Sequence, residues 1–179
     1  PETYITQFFG TEAGYEFSVA RHHLSTWDPE NPGKVIMTDV TRELQPKAVA
    51  DALEEHREAI FAANAKDMEN AKADGIAAPV LKRLKFDEGK LADVCAGLRA
   101  LAKMDDPIGY EQLRTELADG LVLSRVACPI GVVGVIFEAR PDALVQIAGL
   151  CLKSGNSVLL KGGREAMHSN QALFDVMKQ

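Results

Sequence analysis

Two short apolar runs with a helix-length segment between them constrain this chain more than anything else in it. Gly131–Phe137 reads GVVGVIF and Ser157–Leu160 reads SVLL. An unbroken β-branched run of that kind suits a strand of a parallel sheet covered on both faces, since a half-exposed strand would alternate apolar with polar residues. From about Asp142 to Lys153 the chain reads as a helix closed by Gly155. A last helix, carrying Ala172, Leu173, Val176 and Met177, follows Lys161–Gly162–Gly163–Arg164–Glu165. Strand–helix–strand–helix over 131–178 is a βαβ unit, which makes the chain α/β with a parallel, Rossmann-type sheet. A doubly wound sheet has five or six strands as a rule. Two core strands plus a hairpin fall short of that, so the chain is expected to be a fragment whose sheet is completed by another part of a longer protein.

Upstream of this unit the pattern divides three ways. Residues 1–40 form an N-terminal segment of uncertain structure, with six of the chain's eleven aromatic residues in the first 27 and a turn over 28–33. Residues 41–110 are helical. One helix is expected from about Pro46 to Ala73, with Val49, Leu53, His56 and Ile60 on one face and Asp74–Gly75 at its end. A short helix follows at 78–85. The next, capped by Asp87, carries the stripe Leu91, Val94, Cys95, Leu98, Leu101 and Ala102, and ends before Asp105–Asp106–Pro107. Residues 111–128 read as a β-hairpin, because Asp119–Gly120 separates two strand-like runs. Residues 129–179 are the βαβα unit.

Composition excludes several classes of function. With 46% hydrophobic and 26% charged residues the 179-residue chain is globular rather than disordered. Its net charge of −6, with no basic stripe, argues against nucleic acid as a partner. No apolar run approaches a membrane span and no signal peptide opens the chain, so no membrane partner is expected. Three widely spaced cysteines, Cys95, Cys128 and Cys151, form neither a disulfide framework nor a zinc site and fit a reducing cytoplasm. The four histidines do not assemble a metal site, and none is expected. Cys95 reads as core, Cys128 and Cys151 have no neighbour that would lower a thiol pKa, and His168 reads as a surface residue.

Two segments could carry chemistry. In an open α/β sheet, ligands collect beyond the C-terminal ends of the strands. There Gly162 and Gly163 would let a ligand approach the backbone, and the next helix start would offer unpaired N–H groups. Lys161 and Arg164 suit a phosphate, and an arginine can pair bidentately with the 2′-phosphate of NADP. The competing reading is a plain Gly-Gly turn with two solvated charges. The second segment is Glu138–Ala139–Arg140–Pro141, beside the first if the two strands are neighbours. Arg140 could hold an anionic substrate group and Glu138 could orient it or a cofactor hydroxyl. Its competing reading is an ordinary strand-to-helix corner with Pro141 as the first helical residue.

Pro129–Pro141 (PIGVVGVIFEARP), Ala148–Asn156 (AGLCLKSGN) and Leu159–Ala166 (LLKGGREA), with Ala62–Met68 (AANAKDM) upstream, closely resemble the γ-glutamyl phosphate reductase family. These enzymes are also called glutamate-5-semialdehyde dehydrogenases and belong to the aldehyde dehydrogenase superfamily. The resemblance covers roughly residues 47–179. It implies an aldehyde-dehydrogenase-like fold and NADPH-dependent reduction of L-glutamyl 5-phosphate to L-glutamate 5-semialdehyde and phosphate in proline biosynthesis. It implies further that Lys161, Gly162, Gly163 and Arg164, with Glu138, Ala139 and Pro141, border NADP(H), and that Arg140 meets the substrate. Residues 111–128 would be an oligomerisation flap, so a cytoplasmic homo-oligomer with a functional link to glutamate kinase is expected. The family's nucleophilic cysteine would fall beyond Gln179, so the chain by itself should be inactive. Another aldehyde dehydrogenase, or a non-catalytic module of the same fold, are the alternatives.

Overall fold

The computed structural model describes residues 45–177 throughout. Before residue 45 it describes only the backbone of four short strands and of a helix start. The strands are β1 (Thr3–Tyr4), β2 (Gln7–Thr11), β3 (Gly14–Glu16) and β4 (Arg21–His22). β1 pairs with β4 and β2 with β3, both antiparallel. The turn expected at 28–33 and the side chains of the aromatic segment lie outside the described residues.

The helical region differs from the expected single helix. α1 spans Asp39–Glu55 and runs through Pro46, which is buried, and α2 spans Arg57–Ala73. His56 stands between them with φ −97° and ψ 15°, and its Nδ1–H donates to the Ala52 carbonyl at 3.0 Å. The apolar periodicity crosses this break because both helices turn the same face to the core, so spacing alone could not reveal it. α3 (Ala78–Leu84) and α4 (Glu88–Lys103) follow as expected. The Asp87 carboxylate accepts the Lys90 N–H at 3.2 Å and caps α4. Leu91, Val94, Cys95, Leu98 and Ala102 are its buried stripe. On the exposed side Arg99 donates to Asp51 and to both oxygens of Glu54 at 2.7–2.8 Å, fastening α4 to α1. That bidentate contact holds the Glu54 carboxyl below its ordinary pKa.

β5 (Glu111–Ala118) and β6 (Leu121–Val126) form the hairpin, closed by Gly120 at φ +73°, a backbone shape that suits glycine. β7 (Val132–Ile136) lies parallel to β8 (Ser157–Lys161), with Val132 opposite Ser157 and Ile136 opposite Lys161. β2 pairs parallel to the other edge of β8, giving the order β3-β2-β8-β7. Between β7 and β8 runs α5 (Pro141–Lys153). A 3₁₀ turn (Arg164–Ala166) precedes α6 (Met167–Met177). The α/β reading therefore holds.

Val158 and Leu160 of β8 share one core with Leu53 and Ile60 of the first helices, Leu98 of α4, Leu144 and Val145 of α5 and Leu173 of α6. Each fully buried aliphatic side chain there contributes about 1.5–3 kcal/mol. The other face of β7 is uncovered among the described residues: Val132 and Ile136 are 62% and 75% exposed. Among the described residues, then, one face of β7 is covered.

At the N-terminal ends of the strands the Lys-Ser-Gly-Asn stretch does structural work. Buried Lys153 donates to the Met104 carbonyl at 2.6 Å, tying the end of α5 to the end of α4. Asn156 Oδ1 accepts the Gly131 N–H at 2.9 Å, and the Gly131 carbonyl accepts the Ser157 N–H at 2.8 Å.

Candidate functional site

The parallel register brings the two candidate segments together at the C-terminal ends of β7 and β8. One further rung, the Phe137 N–H donating to the Lys161 carbonyl at 3.0 Å, continues the ladder to the point where both strands stop. Beyond it the chain turns on Ala139, which is buried and has a left-handed φ of +44°, the one non-glycine residue with positive φ among the described residues. Pro141 then opens α5 as its first residue, where a missing N–H costs nothing, and is itself buried. Glu138 and Arg140, on either side of Ala139, are exposed.

On the neighbouring strand Lys161 and Arg164 are exposed as well. Among the described residues, none of Glu138, Arg140, Lys161 and Arg164 makes an ion pair. Four charged side chains thus border one sheet end with their hydrogen-bonding capacity directed to solvent. With the Glu165 carboxylate between the loops, three cations face two carboxylates, a net positive charge suited to an anionic ligand.

Both glycines lie against side chains of the chain itself. A Cβ at Gly162 would collide with the amide of Asn170, and at Gly163 it would meet the end of the Glu165 carboxylate. The space that glycine frees is filled by the protein's own side chains. Asn170 is completely buried, and neither its Oδ1 nor its Nδ2 has a hydrogen-bond partner. Glu165 folds back over Gly163, and its Oε1 accepts the Ala139 N–H at 2.5 Å.

The start of α6, one turn further on, is closed to an anion. Asp67 of α2, itself buried, accepts the His168 N–H at 3.1 Å, the Ser169 N–H at 2.7 Å and the Ser169 hydroxyl at 2.6 Å. A carboxylate of the chain therefore occupies the positive end of α6. Asn64 completes the arrangement, donating to Ser169 Oγ and the Leu84 carbonyl at 2.9 Å each and accepting the Phe86 N–H at 2.8 Å. The His168 and Ser169 N–H groups are thus taken, while the 3₁₀ turn that opens at Gly163 has no side-chain cap and carries the exposed Arg164 beside Lys161.

Cys95 and Cys151 are buried, and burial raises both thiol pKa values, that of Cys95 to about 11. Cys128 is exposed, between the hairpin and β7. Among the described residues no group of three or more His, Cys, Asp or Glu side chains could hold a metal ion, and no helix is long and apolar enough to cross a membrane. Glu165 lies inside the candidate loop without a role assigned from sequence, and Asn170 and Asp67 carry no signal there. Asp67 and Ser169 are 102 positions apart, and no spacing rule connects them.

No protein-family model matches the chain. Curated relatives do. A gamma-glutamyl phosphate reductase of Acetivibrio thermocellus is 53% identical over 140 residues, 76% of this chain and 32% of that protein. One of Acaryochloris marina is 56% identical over 133 residues, 74% of this chain and 31% of that protein. Among solved structures, gamma-glutamyl phosphate reductase of Thermotoga maritima superposes with a TM-score of 0.75 at 33% identity, over 79% of this chain and 34% of that one. The Saccharomyces cerevisiae enzyme gives 0.75 at 35% identity, over 79% and 36%. The chain spans about a third of the length of the curated relatives it matches.

Proposed function

We propose that this chain, about three quarters of which is similar in sequence and fold to about a third of the length of gamma-glutamyl phosphate reductases, is the part of such an enzyme that holds the nicotinamide cofactor. The whole enzyme would reduce L-glutamyl 5-phosphate to L-glutamate 5-semialdehyde, releasing phosphate and consuming NADPH. Sequence identity of 53–56% over more than 130 residues is the observation that carries this reading.

The residues at the ends of β7 and β8 fit the cofactor. Lys161 and Arg164 would meet the adenosine ribose and its 2′-phosphate, the latter through the two parallel N–H donors of a guanidinium. Gly162 and Gly163 shape that loop, and Glu138, Ala139 and Pro141 would border the cofactor from the neighbouring loop. Arg140 would take an anionic group of the substrate. The nicotinamide, when bound, supplies the hydride. The thiolate that attacks the acyl phosphate would come from outside this chain, as the resemblance implies; Cys95 and Cys151 are buried with raised pKa values, and Cys128 precedes β7 at the opposite end of that strand from the candidate loops. The hairpin's exposed leucines, Leu113, Leu117, Leu121 and Leu123, would pack against a second copy. A cytoplasmic enzyme of proline biosynthesis, supplied with its acyl phosphate by a glutamate kinase, completes the proposal.

The test is a titration of the chain with NADPH and, in parallel, NADH. Tighter binding of NADPH is expected. Arg164→Glu should weaken NADPH about tenfold or more while changing NADH less, since only NADPH carries the 2′-phosphate. Equal weakening of both would remove Arg164 from that role, and failure of a folded chain to bind either would move the site elsewhere.

A further inference from the structure

We propose that Glu165 is a positioning residue, a latch that joins the two loops and sets the backbone from which Glu138 and Arg140 project. This rests on the reading of those loops as the cofactor and substrate border.

The geometry around Ala139 carries it. The Ala139 N–H donates to Glu165 Oε1 at 2.5 Å, and a carboxylate acceptor makes such a bond stronger than a neutral one would. The carboxylate reaches Ala139 by lying across Gly163, where any side chain would obstruct it. Ala139 itself has a φ of +44°, a conformation unfavourable for any residue with a Cβ, which persists only where surrounding contacts impose it. Ala139 is 2% exposed, so its N–H has no water to turn to in place of Glu165. The loop is fastened on both sides as well, by the Phe137–Lys161 rung before it and by the Ala143 N–H on the Arg140 carbonyl after it, at 3.0 Å each. Glu165 secures the middle of the span, at the residue whose backbone is strained. Without it the turn at Ala139 loses its one side-chain anchor, and the exposed residues on either side lose their common orientation.

The experiment measures backbone hydrogen exchange at Ala139 together with NADPH affinity, in the full chain and its variants. Glu165→Ala should speed Ala139 exchange by about tenfold or more and weaken NADPH, with the core amides of α4 and α5 unchanged. Glu165→Gln, which keeps an acceptor without its charge, should fall between the two, and it carries the test if Glu165→Ala does not fold. Ala139→Gly placed in Glu165→Ala should recover much of the NADPH affinity, because glycine adopts this φ without strain. A general packing role for Glu165 would not be rescued in this way. Unchanged Ala139 exchange in both Glu165 variants, or no recovery with glycine, overturns the latch. If the unaltered chain binds no NADPH, the cofactor reading fails, and Ala139 exchange decides the latch by itself.

Discussion

Gly162 and Asn170 compete for one volume. Adding a methyl group at position 162 would displace a buried amide that has nowhere open to go. Gly162→Ala should therefore cost about 1–3 kcal/mol of stability. Asn170→Ala makes room, so the double variant should be less destabilised than the sum of the single changes, which a urea-unfolding double-mutant cycle would read. Simple additivity would mean that the two do not share the space. Cys95 supplies a second prediction at this scale. Burial raises its thiol from an ordinary 9.0 to about 11, so the unfolded chain ionises first as pH rises. Its contribution is complete below pH 9 and is lost between about 9 and 11. Over that range the unfolding free energy should fall more steeply for the native chain than for Cys95→Ala. Equal slopes would show that the thiol is not held neutral.

Secondary structure followed local chemistry wherever a cap, a turn or an apolar stripe was complete. Asp87 capped α4, Asp119–Gly120 closed the hairpin, and the apolar runs became β7 and β8. The first helices departed from expectation because proline is a poor interior residue, yet α1 runs through Pro46, and because His56 interrupts a face that continues unbroken. The start of α6 depends on a residue of another helix. Replacing Asp67 with alanine would strip the acceptor from two backbone N–H groups and a hydroxyl, costing about 2–3 kcal/mol. Asp67→Asn, keeping one acceptor oxygen, should cost less. Denaturant midpoints of the three proteins would check the order, and equal midpoints would refute the cap.

At the scale of the molecule, apolar surface is distributed unevenly. The helices and one face of β7 and β8 share a buried core, while Ile136, Val132 and the hairpin leucines remain exposed. A two-stranded ribbon with such side chains gains little stability alone. If the hairpin joins copies, Leu123→Glu should lower the sedimentation coefficient without changing the far-ultraviolet circular dichroism; an unchanged coefficient for an assembled protein would exclude Leu123 from the contact. Composition and periodicity determined by themselves the α/β class, the order of elements after residue 78 and the location of a candidate site where β7 and β8 end. Those features are local, since strand runs, caps and turns are written in neighbouring residues. Tertiary structure alone decided that Asp67 closes the start of α6, that Gly162 makes way for Asn170, and that Glu165 holds Ala139. The spacing of residues records which face of an element is buried, but not which distant side chain will meet it there. That depends on where the intervening helices return the chain.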